Sequence, residues 1–297
     1  MRKFIFAKFS KKRSASASTS HRLPPTPTAW PLRPDGPAPA ICDQLQSPLY
    51  GKLSAELRLL IYGLALGDPT RLLHICKNTW RRHRRVPVAH YRCTDTDSPF
   101  PTWQHTCFDV ICNRRRAATP TEDKLLALLL TCRLVYHDAL NILYEENIFH
   151  FQGAPAVKQL RTSLSSVQWR ALRHVHISTE FVPLSAHPAH DINQTPLWPD
   201  ERLDGWIGYC QCLREIPDLR TLRFEITMRA KDYMWVLKRV LEALQHLQAR
   251  VFEVELNVDI PDDLLHELGT LRFQTIGKER PENEEVVLRA MTSFLQI

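Results

Sequence analysis

The spacing of apolar residues predicts a first helix at residues 53–66. Apolar side chains there recur three and four positions apart, which is the period of one face of an α-helix. Ser54 can accept a hydrogen bond at the N-terminus of this helix, and the run Gly67–Pro69 predicts its end. The predicted apolar stripe consists of Leu53, Leu57, Leu60, Ile61 and Leu64.

A second helix is predicted to begin at Thr119, because Thr119 and Glu122 form a capping-box pattern. An apolar stripe then runs from Leu125 to Leu143, which extends the predicted helix to the end of that stripe. Asn147 is expected to end the helix in the left-handed conformation.

Strand patterns flank and follow this second helix. Residues 71–93 predict two short strands around a polar loop, and residues 94–118 are typical of a loop. Beyond residue 150 helix and strand patterns alternate, an order that favours parallel pairing of the strands. Strands are predicted at 148–151, 172–177, 222–226, 252–258 and 270–276, and helices at 203–213, 233–247, 261–268 and 282–296.

These strands alternate apolar and polar residues, whereas strands covered on both faces are apolar throughout. The alternation therefore predicts helices on one face of the sheet and an open polar face on the other. The spacing is irregular, so we expect an irregular layer like that of leucine-rich repeats and not a strict repeat. The candidate residues of the polar sheet face are His174, His176, Arg223, Glu225, Glu253, Glu255 and Asn257.

The N-terminal residues 1–40 differ in composition from the rest of the chain. They are basic and rich in serine and proline, which predicts a disordered tail. A mitochondrial presequence and a nuclear import signal at residues 11–13 are alternatives for this segment. Residues 41–297 are predicted to form a single domain of α and β elements, made of a 47–151 region and a repeat-like 152–297 region.

The whole-chain composition favours a soluble, intracellular protein, nuclear or cytoplasmic. The eight cysteines are too dilute in 297 residues for a secreted disulfide scaffold, and no apolar run is long enough to span a membrane. The net charge of +7 permits an acidic partner. Signatures of serine hydrolases, zinc proteases, phosphate loops and dinucleotide folds are missing, which favours a protein that is not an enzyme and has no cofactor.

A metal centre is the main chemical alternative that the cysteines and histidines raise. Tetrahedral zinc sites use four thiolate or imidazole ligands, often in closely spaced pairs. The spacing from Cys107 to Cys112 is slightly long for such a pair, so we expect incidental or buried cysteines, and zinc at Cys93, Cys107 and Cys112 stays open. The full candidate set is His90, Cys93, His105, Cys107, Cys112 and Cys132.

A basic cluster next to Trp80 suggests a second alternative. Arginines can pair with phosphates and an adjacent aromatic ring can stack on a base, so the cluster predicts association with nucleic acid. A solvated loop, or docking of an acidic protein segment, explains the same residues. The cluster consists of Arg81, Arg82, Arg84 and Arg85.

Two segments resemble a known family. Residues 47–62, SPLYGKLSAELRLLIY, and residues 129–151, LLTCRLVYHDALNILYEENIFHF, are similar in order and content to the two signatures of a large fungal family of F-box-like domains of unknown function, the DUF7730 type. The strand pattern at residues 219–224 agrees with the family's usual continuation. Ser54 stands where that family usually has proline.

The resemblance implies a fold class of α+β, with F-box-like N-terminal helices followed by the leucine-rich-repeat-like layer. The family implies no activity of its own, and our hypothesis for the chain is an interaction module, an adaptor or scaffold that binds a protein partner. A Skp-type adaptor of a ubiquitin ligase is the partner that an F-box-like helix suggests, and the candidate docking residues are Leu53, Leu57, Leu60 and Ile61.

Overall fold

The structure is a computed structural model that describes residues 44–77, 88–96, 102, 105, 107, 125–181, 203–228 and 234–277. The chain divides into two units, Met1–Ala40 and Ile41–Ile297, and the described residues all lie in the second. Several predictions concern residues outside this part of the chain and stay predictions: the disordered tail, the basic cluster at 81–85, the capping box at Thr119, Cys112 and the closing helix at 282–296.

The described residues form eight helices and seven strands. The helices are α1 (Pro48–Gly51), α2 (Ala55–Leu66), α3 (Arg133–Glu145), α4 (Gly153–Ser163), α5 (Ser166–Arg170), α6 (Leu203–Arg214), α7 (Met234–Leu244) and α8 (Asp262–Leu268). The strands are β1 (Asp68–Lys77), β2 (Val88–Arg92), β3 (Asn147–Gln152), β4 (His174–Phe181), β5 (Thr221–Met228), β6 (Val251–Leu256) and β7 (Gln274–Gly277).

The strands form one sheet in the order β2-β1-β3-β4-β5-β6-β7. β1 and β2 pair antiparallel, and the remaining neighbours in this sheet pair parallel, as the alternation of helices and strands predicts. From β3 to β7 the strands lie side by side in chain order and alternate with helices. The architecture is therefore mixed α/β, and the predicted parallel pairing is confirmed.

One face of the sheet is apolar and packs into the core with the helices. Register places Phe151, Ile177, Phe224 and Val254 side by side across four strands, and all four are buried. Burying a side chain of this size contributes about 1.5–3 kcal/mol, so this row is a main source of stability. Two buried tryptophans complete the core, and each indole N–H donates to a backbone carbonyl in a neighbouring helix: Trp169 to Cys212 O (3.0 Å) and Trp206 to Val240 O (3.2 Å).

The N-cap and the last residue of α2 agree with prediction, although the helix begins at Ala55 and not at Leu53, whereas the ends of α3 differ. The Ser54 hydroxyl accepts from the Leu57 amide and α2 ends at Leu66, as expected. The second helix does not run through residues 125–131, which form a turn, and it begins only after Cys132, whose sulfur accepts from the Val135 amide. A cysteine sulfur is an unusual N-cap, so the sequence pattern does not reveal this start.

Asn147 follows α3, but it does not adopt the predicted left-handed conformation. Among the described non-glycine residues, Gln44 alone has a positive φ, so Asn147 is not left-handed. Its buried side chain donates to two backbone carbonyls, Leu66 O (2.7 Å) and Leu143 O (2.9 Å). One amide group thus satisfies carbonyls at the C-terminal ends of both α2 and α3.

Candidate functional site

Helix α2 exposes a row of apolar side chains. Leu57, Leu60 and Leu64 are 49%, 60% and 78% exposed, and Leu59 and Ile61 are also exposed. Single exposed leucines are common on protein surfaces, but a contiguous apolar row on one helix is not. We call the row Leu57, Leu60, Ile61 and Leu64 the outer face of α2.

The opposite side of α2 faces the protein. Arg58, Tyr62 and Leu66 lie four positions apart on that side, and Tyr62 and Leu66 are fully buried. The hydroxyl of Tyr62 lies 2.9 Å from that of Tyr50, and the guanidinium of Arg58 sits over the Tyr50 ring at 4.8 Å. The helix therefore uses a narrow, partly polar side to bind its own domain.

The sequence-predicted docking residues divide accordingly. Leu57, Leu60 and Ile61 are exposed, whereas Leu53 is half-buried at the helix start and its carbonyl accepts from Arg58. The apolar period of residues 53–64 is real, but it marks the side that points away from the core. A helical period defines a stripe without saying what covers it.

The second unusual region is the polar side of the sheet. Register places His74, His150, His176 and Arg223 side by side on β1, β3, β4 and β5. The three histidines are buried, with imidazole centroids 4.7 Å apart for His74 and His150 and 5.2 Å apart for His150 and His176. We call this side of β1–β6, with the residues that cover it, the polar layer.

The polar face is therefore not open where the sequence predicts it to be open. Of the candidate residues, His176, Glu225 and Glu255 are buried. His174, Arg223, Glu253 and Asn257 are half-buried. The physical reason is that residues from the stretch predicted as a loop cover the sheet: the amide and hydroxyl of Thr102 both donate to Glu225, at 2.8 and 2.5 Å.

Two buried carboxylates in the polar layer have close cationic or hydrogen-bonding neighbours. Burial alone would raise the pKa of Glu225, but the nearby imidazole of His176 (3.6 Å) and the hydrogen bonds from Thr102 hold that pKa well below its usual value. The carboxylate of Glu255 accepts from Arg223 at 2.8 Å. Buried charges of this kind are tolerated because each is paired.

A chain of hydrogen bonds links the buried histidines. Nδ1 of His74 lies 2.7 Å from Nδ1 of His150, and Nε2 of His150 lies 2.7 Å from Ser178 Oγ and 3.1 Å from Thr102 Oγ1. Burial lowers the pKa of His150 well below its usual value, so this ring is neutral and carries one N–H. The chain thereby couples β1 to β3, β4 and the residue that covers Glu225.

Four side chains lie close together at the His74 end of this series of hydrogen bonds. The sulfur of Cys93 lies 3.3 Å from Nδ1 of His105 and 3.8 Å from the sulfur of Cys107, which lies 3.3 Å from Nε2 of His74. The four ligating atoms lie within 4.8 Å of one another, and all four residues are buried. We call this group the His/Cys cluster.

The β1–β2 hairpin explains how this cluster forms. The Cys93 amide donates to Leu72 O just beyond the end of β2, which places Cys93 opposite Leu72. Leu72 and His74 lie two positions apart on β1 and share a face, so Cys93 and His74 lie on the same side of the sheet. His90 pairs with Ile75 and lies on the other face.

The two thiols of the cluster differ in acidity. The hydrogen bond from Cys107 lowers the pKa of Cys93, and the imidazoles of His105 and His74 add to this effect against the opposing effect of burial. The same hydrogen bond, together with burial, raises the pKa of Cys107. One thiolate is thus favoured inside a closed, buried group.

The sequence-predicted metal candidates are brought together only in part. Cys93, His105 and Cys107 meet in the cluster, whereas His90 lies on the opposite face of β2 and Cys132 caps α3. His74 was missed because it lies on a separate strand, far upstream of Cys93, His105 and Cys107 in the chain. Its signal was present only as a histidine in an otherwise apolar strand, LLHIC.

Comparison with known families places this chain. The family described as "Domain of unknown function (DUF7730)" matches residues 42–268, which extend from before α1 to the end of α8. The chain belongs to the DUF7730 family. Comparisons with curated proteins and with solved structures find no match. This match confirms that residues 47–62 and 129–151 resemble the DUF7730 family.

None of the helices in the described ranges combines the length and the apolar character that crossing a bilayer requires.

Proposed function

We propose that this domain is a non-enzymatic protein-interaction module that docks a partner on the outer face of α2. The observation that carries the proposal is the exposure of Leu57, Leu60, Ile61 and Leu64 in one row. Apolar rows of this kind, with anchors three and four positions apart, are what helix-mediated recognition uses.

The energy available from this face is adequate for a specific complex. Fully burying a leucine or isoleucine side chain contributes about 1.5–3 kcal/mol, and these four side chains are 40–78% exposed. Burying the exposed part of each side chain would contribute roughly 1 kcal/mol or more, so the four together would contribute several kcal/mol. That sum is typical of the few central residues that dominate an interface.

The rear of α2 supports the same proposal, because the helix is held firmly by the domain. The carbonyl of Leu66 accepts from both Arg92 (3.2 Å) and Asn147 (2.7 Å), and Tyr62 is tied to Tyr50. A helix fixed in this way presents its outer side chains with little further loss of conformational entropy on binding.

The partner we propose is a Skp-type adaptor of a ubiquitin ligase. This choice rests on the resemblance of residues 47–62 to the F-box-like signature of a fungal family, since that segment contains Leu57, Leu60 and Ile61 of the outer face of α2. In this proposal β3–β7 and their helices are an irregular leucine-rich-repeat-like layer beside the docking helix. The strand order, in which neighbours in the chain are neighbours in the sheet, is compatible with that description.

The test is a binding titration between the purified full-length chain and a purified Skp-type adaptor. We expect the double variant Leu57→Asp, Ile61→Asp to bind at least about 30-fold more weakly, because two interface anchors are replaced by charges. The matched control is Val167→Asp, which introduces one carboxylate at an apolar position of α5 that is 75% exposed. The control should bind like the wild type.

Two results would reject parts of the proposal. If the folded wild type does not bind the adaptor, the ubiquitin-ligase assignment is wrong. If the adaptor binds and the double variant retains wild-type affinity, the docking surface is not the outer face of α2. Urea unfolding of each variant checks that the fold is intact, since substitutions at exposed positions leave stability nearly unchanged.

A further inference from the structure

We propose that His74, Cys93, His105 and Cys107 bind one zinc ion as a structural site. This inference is independent of the function proposed for α2. It concerns the His/Cys cluster of the polar layer and a metal of the class that prefers thiolate and imidazole ligands.

The interatomic distances of the cluster fit a tetrahedral zinc ion. Zinc–sulfur and zinc–nitrogen bonds in a tetrahedron imply about 3.8 Å between two sulfurs and about 3.6 Å between sulfur and nitrogen. The Cys93–Cys107 distance is 3.8 Å, and the contacts of Cys93 with His105 and of Cys107 with His74 are each 3.3 Å. Since the four atoms lie within 4.8 Å of one another, the widest pair must approach by about 1.2–1.5 Å at most.

Two simpler explanations of the cluster are less satisfactory. A disulfide would place the sulfurs about 2.05 Å apart, far less than the observed 3.8 Å. Incidental buried cysteines would pack against aliphatic side chains as small hydrophobes, but both sulfurs here contact imidazole nitrogens. Burying two thiols and two imidazoles with only weak mutual hydrogen bonds is costly, and a shared cation removes that cost.

The hydrogen-bond chain behind His74 prepares it as a ligand. Because His74 and His150 meet through their Nδ1 atoms, only one of the two can supply the proton. If His74 donates, its Nε2 carries a lone pair directed toward Cys107, and His150 donates from Nε2 to Ser178 or Thr102. Metal-bound histidines typically use their second nitrogen as a donor in this way.

The proposed zinc has a structural task. It joins the β1–β2 hairpin, through His74 and Cys93, to the segment that carries His105 and Cys107. The same segment supplies Thr102, which donates to Glu225 on β5. Four protein ligands fill the tetrahedron, so the site is closed and offers no position for a reacting molecule.

The first experiment measures metal in the full-length chain, purified without a polyhistidine tag under reducing conditions. We expect one zinc ion per chain, released when the thiols are modified by a mercurial reagent. After exchange into cobalt, the protein should show the visible bands of tetrahedral Co(II) and a sulfur-to-cobalt charge-transfer band. These spectra use the wild-type protein, so they do not depend on whether a variant folds.

Variants then assign the ligands. Cys107→Ser should reduce the bound zinc to below about a tenth of the wild-type content, because structural sites require their full ligand set. Cys212→Ser, at a half-buried cysteine of α6, is the matched control and should keep one zinc per chain. His150→Phe should weaken zinc affinity about 10–100-fold in a competition titration with a chelating dye, as expected of a residue that orients a ligand.

Three results would overturn the inference. The first is a folded, reduced wild type that contains no zinc and gives no tetrahedral cobalt spectrum. The second is a Cys93–Cys107 disulfide in protein prepared with reductant. The third is equal loss of zinc in Cys107→Ser and Cys212→Ser, which would indicate adventitious binding to thiols.

Discussion

The outer face of α2 and the polar layer of the sheet depart from the usual distribution of side chains in opposite directions. On the outer face of α2 four leucine and isoleucine side chains are exposed. In the polar layer four histidines and three glutamates are buried, together with the two thiols of the His/Cys cluster. Each departure carries a free-energy cost in the isolated domain, because apolar surface remains in water and polar groups are removed from it.

The cost of exposed apolar surface on α2 and the cost of buried polar groups in the sheet are offset in different ways. Exposed apolar surface is relieved by another molecule, so it points to an interface. Buried polar groups are relieved by partners inside the domain, which here are hydrogen bonds and, in our proposal, a metal ion. Departures from the ordinary pattern are where function is to be expected in a folded chain.

Removal of the metal should have the largest effect on the polar layer. If the cluster holds zinc, chelation should lower the free energy of unfolding by at least about 4 kcal/mol at zinc concentrations a thousand times the dissociation constant. Urea unfolding with and without a strong chelator measures this difference. An unchanged midpoint would show that the cluster does not need a metal.

A matched pair of leucines on α2 tests the contrast between its two sides. Leu66→Ala removes a fully buried side chain and should cost about 2–5 kcal/mol. Leu60→Ala removes a side chain that is 60% exposed and should cost less than about 1 kcal/mol. Chemical denaturation of both variants measures the two values, and similar losses would mean that the outer face is covered within the chain.

The buried carboxylate of the polar layer gives a smaller effect. Glu225→Gln keeps the shape of the side chain but replaces the charged carboxylate, which accepts both hydrogen bonds of Thr102 and faces His176. We expect a loss of about 1–3 kcal/mol in the free energy of unfolding. Glu253→Gln, at a half-buried carboxylate on the adjacent strand β6, is the control and should change stability by less than about 0.5 kcal/mol.

The smallest effect concerns the start of β1, which joins α2 to the polar layer. Burial alone would raise the pKa of Asp68, but hydrogen bonds from Thr70 and Arg71 outweigh it and lower that pKa to about 2. The folded pKa lies below the ordinary value of about 3.9. The Asp68 carboxylate therefore contributes to the free energy of unfolding above pH 4, and this contribution disappears as the pH falls from about 4 to 2.

The size of the Asp68 contribution is limited by solvent, since its partner Arg71 is 46% exposed. We expect about 1 kcal/mol or less. Asp68→Asn should lower stability at neutral pH by this amount and leave it nearly unchanged at pH 2, as measured by urea unfolding across that range. A constant difference at all pH values would show that the carboxylate acts through packing and not through its charge.

Much of the fold could be predicted from local pattern. The bounds of α2, the Ser54 cap and the parallel order of β3–β7 follow from helical period, capping chemistry and alternation. The start of α3 could not be predicted, because residues 125–131 continue an apolar period while forming a turn. Periodicity reports which residues are apolar, and tertiary packing decides where a helix begins.

The candidate sites were harder to predict for a related reason. The stripe on α2 was identified, but the sequence alone does not indicate whether Leu57 and Ile61 face the core. The His/Cys cluster depends on strand register, which brings His74 beside Cys93 although no short motif connects them. The buried state of Glu225 depends on Thr102, which lies in a stretch that has only loop character in the sequence.

X-ray absorption at the zinc edge of the purified full-length chain tests the central claim about the polar layer most directly. We expect two sulfur ligands at about 2.3 Å and two nitrogen ligands at about 2.0–2.1 Å, the signature of a closed site with two cysteines and two histidines. The account would be contradicted by a chain without zinc, or by a spectrum that contains oxygen and nitrogen ligands alone.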